Sequence, residues 1–191
     1  MRLGSVLQIV GFIVQGEIMA EIVLAGGCFW CLDAVYRQFR GVESSVCGYA
    51  GGDMPDPDYR SVCSGTTGHH EAVKITFDPQ VISYDTILDI FFISHDPTSW
   101  DRQGADTGSQ YRSVIFYEDE QQRGLAERAK ERAQQLFDAP IVTEIKPLDI
   151  FYEAEPVHQN YYALNPAQGY CTFVVSPKVA KARRAFSQLL R

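Results

Sequence analysis

The spacing of apolar residues along this chain changes between the period of strands and the period of helices. Val73, Ile75 and Phe77 occupy alternate positions, which predicts a strand with one apolar face. Over 29–39 the apolar residues recur every three or four positions, which predicts a helix. Ser83 precedes another helical stripe and is the predicted N-cap of that helix. Both kinds of element therefore offer apolar faces to a core.

Predicted strands and helices interleave along most of the chain. The predicted strands are 21–25, 42–49, 71–77, 112–117, 141–145 and 172–175. The predicted helices are 29–39, a helix after Ser83, 119–137, a short helix at 156–163, and 177–190. In the helix over 119–137 we expect four buried residues: Leu125, Ala129, Ala133 and Leu136. This order predicts an α+β fold in which helices are layered on a mixed sheet.

The length of 191 residues suits one folded domain, which we expect to span 21–191. Residues 1–20 are expected to be an N-terminal extension, with Met19 as a candidate start. Polar residues such as Gln8 and Gln15 interrupt the apolar stretch of this extension, so a membrane span is not expected. Its single Arg and its lack of a small-residue cleavage site are unlike a secretory signal.

Charge and cysteine content narrow the classes of protein that fit. The formal net charge of −7 argues against non-specific binding to nucleic acid, which depends on clustered Lys and Arg. The chain has five cysteines, and an odd number over this length is not typical of a secreted disulfide framework. We therefore expect free thiols in a reducing compartment, the cytoplasm. We also expect a monomer that does not bind membranes.

Candidate chemistry is concentrated where the first predicted strand gives way to the first predicted helix. There, Gly26 and Gly27 turn the chain, and Cys28 stands at the helix N-terminus. The unpaired N–H groups and the helix dipole favour negative charge at this position, so we expect the Cys28 thiol to lose its proton readily. The thiolate is the nucleophilic form of cysteine. Cys28 is therefore the predicted nucleophile.

Two other cysteines could form a disulfide with Cys28. Cys31 lies one helical turn away on the same side of the predicted helix, at a separation compatible with a disulfide. Cys171 follows a loop that contains Gly and Pro and is a second candidate. Cys47 and Cys63 follow strand-like segments, and we predict that both are small buried residues.

The cysteine pair belongs to a series of motifs that extends from about Glu21 to the C-terminus. The motifs are Gly27-Cys28-Phe29-Trp30-Cys31, Gly48-Tyr49-Ala50-Gly51-Gly52, the run from Tyr59 to Glu71, Ile90-Phe91-Phe92, His95-Asp96-Pro97-Thr98, the run from Arg102 to Ser113, Tyr152-Glu153-Ala154-Glu155 and His158-Gln159-Asn160-Tyr161. In this order they resemble the motifs of the A-type methionine sulfoxide reductases.

The resemblance implies a fold and a reaction. The fold is a two-layer α/β sandwich related to ferredoxin-like folds, with a mixed sheet and extra elements. The reaction is the reduction of the S epimer of methionine sulfoxide, free or in oxidised proteins, to methionine. Cys28 attacks the sulfoxide sulfur and becomes a sulfenic acid, and a second cysteine then forms a disulfide with it. Thioredoxin, as an external reductant, reduces this disulfide, and neither a cofactor nor a metal is implied.

The same resemblance assigns roles around the nucleophile. Glu71 corresponds to the acid that protonates the sulfoxide oxygen, and an apolar pocket would raise its pKa and keep it protonated. Tyr59 and Tyr111 correspond to the tyrosines that hydrogen-bond this oxygen. Asp106 corresponds to a loop carboxylate of the same site.

Phe29 and Trp30 are expected to form an apolar slot for the S-methyl group of the substrate. The sequence does not decide which cysteine forms the disulfide with Cys28, because Cys31 and Cys171 are both present. A relay from Cys28 to one of them and then to the other is a third alternative. His70 stands where the family usually has a small residue. Its side chain is expected on the opposite sheet face from the acid, without a catalytic role.

Two other functions fit parts of the pattern. A thioredoxin-like disulfide oxidoreductase also places Cys-x-x-Cys at a helix start, but there Trp commonly precedes the first Cys, whereas Trp30 lies between the two cysteines. A zinc module is disfavoured because the chain lacks a second Cys-x-x-Cys and a paired-histidine motif. Its ligands would have to come from a scattered set: Cys28, Cys31, Cys63, His69 and His70.

Overall fold

The computed structural model describes residues 12–14 and 17–191, with side chains from Met19 onward. The strands are β1 (Phe12–Val14), β2 (Glu17–Ala25), β3 (Val42–Ala50), β4 (His70–Phe77), β5 (Arg102–Gln103), β6 (Asp106–Thr107), β7 (Val114–Tyr117), β8 (Glu144–Pro147) and β9 (Phe151–Glu153). The α-helices are α1 (Phe29–Tyr36), α2 (Tyr59–Cys63), α3 (Tyr84–Ser94), α4 (Glu120–Gln134), α5 (Tyr161–Leu164) and α6 (Ser176–Ala185). Shorter turns are the 3-10 helices Ser109–Tyr111, Pro156–His158 and Ser187–Leu189 and the π-helix Cys171–Val175.

A mixed sheet is the centre of the fold. Within the described residues its strands lie in the order β8-β7-β2-β4-β3-β9, and β1 pairs with β2 beside this path. β7 and β8 run parallel, whereas the other neighbours run antiparallel. β5 and β6 form a separate small hairpin. The α+β class and the mixed sheet predicted from the sequence are confirmed.

The alternation of β4 explains how the sheet separates two apolar regions. Val73, Ile75 and Phe77 face the main core, which they share with buried residues of α1, α3, α4 and α6. Ala72 faces the other side, where it belongs to a smaller apolar cluster with Phe116. A strand buried on both faces stays rigid, so the side chains at the start of β4 are held firmly in place.

Local signals fixed several helix boundaries. The Ser83 hydroxyl accepts a hydrogen bond from the Thr86 N–H at 3.1 Å, so Ser83 is the N-cap of α3 as predicted. Asp119 caps α4 in the same way, through the N–H of Gln122 at 2.7 Å. None of the helices within 17–191 has the length and apolar character that a membrane crossing requires.

Two predictions near helices were wrong. Residues 172–175 form no strand, although Thr172 and Val174 favour one; the segment is part of the π-helix, in which Cys171 and Val175 both face the core. Cys171 and Val175 lie four residues apart, and burial of both requires a helical turn. This packing outweighs the β-propensity of the segment. Leu136 is 69% exposed rather than buried, because α4 ends two residues before it.

The edges of the sheet extend beyond the predicted strands. β2 begins at Glu17, so it crosses the boundary expected between an extension and the domain. Most of that proposed extension, residues 1–11 and 15–16, lies outside the described residues. β9 was not predicted; it pairs with Gly48–Ala50 of β3, where a Cβ at Gly48 would overlap the Phe151 ring and the Tyr152 carbonyl oxygen. Glycine at position 48 therefore permits β9 to approach β3.

Candidate active site

The turn between β2 and α1 fixes Cys28 at the start of a helix. Gly27 has a φ of 87°, and a Cβ on it would lie 2.7 Å from the side chain of Gln103. Gln103 is itself fixed, because it accepts from the Asp96 N–H at 2.9 Å and donates to the Asp96 carbonyl at 2.6 Å. Cys28 is the N-cap residue of α1 and is 5% exposed. Its sulfur thus lies at a helix N-terminus with a narrow opening.

Glu71 approaches this helix start from β4. Its Oε2 accepts a hydrogen bond from the Phe29 N–H at 3.0 Å, and the residue is 1% exposed. Burial raises the pKa of Glu71 to about 8, and the negative charges of Asp106 and Cys31 act in the same direction, against the opposing Phe29 N–H bond. At neutral pH the carboxyl is therefore mostly protonated and can donate a proton next to the Cys28 sulfur.

Two half-buried tyrosines face the same region. Tyr59 begins α2, and Tyr111 ends the 3-10 turn after β6. Burial raises the pKa of both phenols, and the charge of Glu71 raises them further. The charges of Asp106 and Cys28 also raise the pKa of Tyr111. Both hydroxyls therefore stay neutral and can donate hydrogen bonds to a ligand oxygen.

Cys28 and Cys31 interact directly. Burial raises the pKa of Cys28, and the contact with Cys31 and the charge of Glu71 raise it further. The hydrogen bond from Cys28 lowers the pKa of Cys31 to about 7. The expectation that Cys28 itself loses its proton readily is wrong here, because desolvation outweighs its place at the helix start. The single negative charge of the pair is favoured on Cys31.

An aromatic cluster forms the wall next to these thiols. Trp30 stacks on Tyr161 with ring centroids 3.9 Å apart, and Phe29 lies 6.2 Å from Tyr59 in a stacked arrangement. His158 lies between them, with its ring 4.4 Å from Tyr59 and 5.7 Å from Trp30. The wall is apolar and rigid, which suits a small apolar group such as a methyl.

Asp106 is reached from the C-terminal part of the chain. The Tyr170 hydroxyl donates to its Oδ2 at 2.5 Å, and the same hydroxyl faces the sulfur atoms of Cys28 and Cys31 and lowers the pKa of each thiol. Tyr170 could not be selected from the sequence, because its contact with Asp106 joins positions 64 apart. It stands directly before the predicted recycling residue Cys171.

The remaining cysteines are divided between the core and the surface. Cys171 is buried, and its pKa is raised by burial and by the neighbouring Cys31. Cys47 is buried as predicted. Cys63 is exposed, so its predicted burial is wrong: it lies at the end of the short helix α2, whose core contact is made by Val62. The cysteines that line the site are therefore Cys28, Cys31 and, next to them, Cys171.

The histidines of the zinc hypothesis serve structural hydrogen bonds. Within the described part of the chain, no group of three or more His, Cys, Asp and Glu side chains is arranged to hold a metal ion. His69 accepts from the Gly52 N–H at 3.1 Å and donates to the Met54 carbonyl at 2.8 Å. His70 faces Phe116 on the opposite side of the sheet from Glu71, as its position in the strand predicted.

Comparison with known proteins identifies the family. The family model described as peptide methionine sulfoxide reductase matches residues 20–190. The chain is 57% identical over 172 residues to peptide methionine sulfoxide reductase MsrA of Paenarthrobacter aurescens, an alignment that covers 90% of this chain and 99% of that protein. The chain belongs to the peptide methionine sulfoxide reductase family.

Solved structures agree with this family assignment. Reduced Mxr1 from Saccharomyces cerevisiae is 35% identical, with a TM-score of 0.76 over 80% of this chain and 89% of that one. Mxr1 in complex with Trx2 is 28% identical, with a TM-score of 0.55 over 75% of this chain and 84% of that one. This chain is thus similar to Mxr1 both in its reduced form and in complex with Trx2.

For this member of the methionine sulfoxide reductase family, sequence reasoning missed the groups that fasten the C-terminal segment to the site. Glu155 accepts from the Tyr49 hydroxyl and from the Tyr59 N–H, both at 2.8 Å. The Gln159 amide exchanges hydrogen bonds with the backbone of Cys47 at 2.9 Å in each direction. Both residues lie in motifs that carried the family resemblance. The sequence therefore marked them, but it did not indicate which hydrogen bonds they make.

Proposed function

We propose that this chain reduces the S epimer of methionine sulfoxide, free or in oxidised proteins, to methionine, and that thioredoxin supplies the electrons. The hydrogen bond between Phe29 and Glu71 supports this most strongly. It holds a buried carboxyl with a pKa of about 8 next to the Cys28 sulfur. A thiol beside a protonated acid is what removal of a sulfoxide oxygen requires.

In the first step, the Cys28 proton passes to the Cys31 thiolate that it hydrogen-bonds, and the Cys28 sulfur attacks the sulfoxide sulfur while Glu71 donates a proton to the sulfoxide oxygen. Tyr59 and Tyr111 hold that oxygen, and the aromatic wall of Phe29 and Trp30 holds the methyl group. The sulfur–oxygen bond of the substrate breaks, and the hydroxyl ends on the Cys28 sulfur as a sulfenic acid. Cys28 loses two electrons and the substrate gains them, which releases methionine.

In the second step, Cys31 attacks the Cys28 sulfenic acid. A disulfide forms, and the hydroxyl leaves as water after it takes a proton. Cys31 suits this step because it contacts Cys28 and its pKa is about 7, so much of it is thiolate at neutral pH. Cys171, whose pKa responds to Cys31, would then exchange with the Cys28–Cys31 disulfide.

The reductant of the proposed cycle is thioredoxin, and the complex of yeast Mxr1 with Trx2 supports this choice. Two electrons from its dithiol would return the oxidised cysteines to thiols. We further propose that 21–191 is the catalytic domain and that the protein acts in the cytoplasm, where the five free cysteines stay reduced.

Turnover of the separated epimers of methionine sulfoxide with dithiothreitol tests the reaction. We expect methionine from the S epimer and none from the R epimer, and loss of turnover in Cys28→Ser. Activity on the R epimer alone would refute the proposal. If the protein instead reduced insulin disulfides at a rate comparable to that of a thioredoxin, the hypothesis of a disulfide oxidoreductase would be favoured.

Mass spectrometry of the enzyme after one turnover without reductant tests the order of the thiols. We expect a disulfide between Cys28 and Cys31 in Cys171→Ser, and an accumulating sulfenic acid in Cys31→Ser. An internal disulfide that forms equally fast in Cys31→Ser would show that Cys171 reacts with Cys28 directly.

A further inference from the structure

His70 contacts the turn that carries Tyr111, and the reaction steps above do not use it. Its Nδ1 lies 2.8 Å from the carbonyl oxygen of Ser109, the first residue of the 3-10 turn Ser109–Tyr111. A carbonyl oxygen can only accept, so Nδ1 carries a proton and donates it. Burial lowers the pKa of His70, which keeps the ring neutral in this tautomer. One directed hydrogen bond therefore ties the first residue of β4 to the turn.

The imidazole ring of His70 is itself fixed, on the side of the sheet away from Glu71. His70 is 3% exposed, and its ring lies 6.2 Å from the Phe116 ring. A Cβ on Gly51, which has a φ of 87°, would come within 3.1 Å of the imidazole Cδ2. The hydrogen bond to the turn thus comes from a closely packed side chain that has little freedom to move.

Other hydrogen bonds close the loop 101–112 on itself. The Arg112 N–H donates to the Ser109 carbonyl at 3.2 Å, so this oxygen accepts from two donors. The Arg112 guanidinium donates to both carboxylate oxygens of Asp101, at 2.7 and 2.8 Å. These bonds give the loop its shape, and the bond from His70 attaches it to the central sheet.

We propose that His70 is a positioning residue for Tyr111. Glu71 is the next residue of β4 and points to the opposite face of the sheet, where Tyr111 packs against the core that contains Cys28. The strand thus presents the acid with one residue and holds the turn of the hydroxyl donor with the residue before it. This inference rests on the proposed function, in which Glu71 and Tyr111 act on the same sulfoxide oxygen.

A fixed spacing between these two groups matters because both act on one small atom. A donor stabilises developing charge most when it is already aimed at it, and a misplacement of about 1 Å can cost about 10²-fold in rate. Glu71 belongs to a buried strand, whereas Tyr111 belongs to a turn within a loop, and loops move more than strands. The bond from His70 therefore limits the motion of the Tyr111 hydroxyl relative to the acid.

The variants His70→Asn and His70→Leu isolate the hydrogen bond. Asn and Leu have nearly the same shape, but only Asn has an amide N–H that can replace Nδ1–H. Should unfolding experiments show that His70→Leu does not fold, His70→Gln takes its place, because its amide reaches the position of Nε2 instead. His69→Ala is the matched control, since the neighbouring, buried His69 bonds the Met54 carbonyl at 2.8 Å and so holds a different loop.

The first readout is hydrogen exchange of the amides of residues 108–112 without substrate, measured by mass spectrometry. We expect exchange about three- to tenfold faster in His70→Leu, the effect of one lost hydrogen bond, and close to the parent rate in His70→Asn. His69→Ala should leave exchange in this segment unchanged. Equal exchange in His70→Leu and the parent would overturn the inference.

The second readout is the rate of methionine formation in a single turnover, measured with Tyr111 and in Tyr111→Phe. We expect His70→Leu to lower the rate about three- to tenfold with Tyr111 present and less than about twofold in Tyr111→Phe, since an absent hydroxyl cannot be misplaced. His70→Asn should restore most of the rate. His69→Ala should change the rate by the same factor in both backgrounds. The same behaviour in His70→Leu would mean that His70 only stabilises the fold, and would refute its positioning role.

The exchange experiment needs no sulfoxide, so it tests the attachment of the turn whatever the epimer assay shows. Failure of the parent to turn over the S epimer would refute the proposed function without altering that result. Normal turnover of the S epimer in His70→Leu would leave the proposed function standing and refute the role of His70 alone.

Discussion

The two regions that meet at Cys28 and Cys31 are built in different ways. We call the end of β2, the turn before α1 and the start of β4 the reaction region, and residues 154–190 the recycling region. The reaction region belongs to the central sheet, which is buried on both faces. The recycling region consists of short helical turns followed by the helix α6, and it carries three strongly exposed apolar side chains: Val157 at 67%, Leu164 at 70% and Phe173 at 81%.

This difference indicates which part of the molecule moves. The chemical step needs a fixed distance between a sulfur and an acid, and the close packing around Gly27 and Glu71 provides it. Disulfide exchange needs Cys171 to leave a buried position, and its segment is held by short turns that expose Leu164 and Phe173, which favours local opening. The π-helix that contains Cys171 fits this reading, since such turns occur often at functional sites.

The largest effect is expected from Glu71→Gln in the reaction region. Gln can keep the hydrogen bond from Phe29 but cannot donate a proton, so single-turnover methionine formation should fall about 10²–10⁴-fold. In the parent enzyme the rate should decline as pH rises through about 8, where Glu71 loses its proton, and the variant should lack this decline. The exposed Glu153→Gln is the control and should behave as the parent. Retention of the alkaline decline in Glu71→Gln would show that another group is the acid.

Cys171→Ser tests the recycling region and should affect a different step. Methionine formed in the first turnover should be unchanged, because Cys28 and Cys31 remain. Steady-state turnover with thioredoxin should fall about tenfold or more, because the buried Cys28–Cys31 disulfide is poorly accessible to a protein reductant. A burst of product followed by slow turnover is the expected time course. Unchanged steady-state turnover would mean that thioredoxin reduces the first disulfide directly.

The same contrast explains what could be predicted from the sequence. The reaction region could be predicted from local patterns. The alternation of apolar residues predicted β4, Gly26 and Gly27 predicted the turn, and the position at a helix start indicated Cys28 as the nucleophile. The conformation of the recycling region depends on contacts with residues that are distant in the sequence. Val174 and Val175 suggested a strand, and only packing against α1 shows that a helical turn is needed. Tyr170 has no local signature at all, since its role depends on where Asp106 lies in space.

Glu71→Gln should also change stability, in the direction opposite to its effect on rate. The pKa of Glu71 is about 8 in the folded protein against an ordinary value of 4.5, so between these pH values the folded state holds a proton that the unfolded state has lost. Stability of the parent therefore falls by about 1.4 kcal/mol per pH unit across this window, and the variant lacks that loss. Urea unfolding at about pH 5 and about pH 8 should give similar free energies at the lower pH and a more stable variant at the higher pH. Equal pH dependence in the two proteins would contradict a raised pKa for Glu71.

Gly48 in β3, opposite Ala72 of β4, and Gly169 in the recycling region give the smallest and most direct test of the difference in packing. In Gly48→Ala the added methyl overlaps the Phe151 ring and the Tyr152 backbone, so β9 must move away from β3 at about 1–3 kcal/mol of unfolding free energy. In Gly169→Ala the added methyl meets no heavy atom within 4 Å, and the residue leads into a helical turn. That variant should be unchanged or stabilised by about 0.4–1 kcal/mol through the reduced entropy of its unfolded chain. Urea unfolding of both measures the contrast, and a Gly169→Ala variant destabilised as much as Gly48→Ala would show that the recycling region is packed as firmly as the sheet.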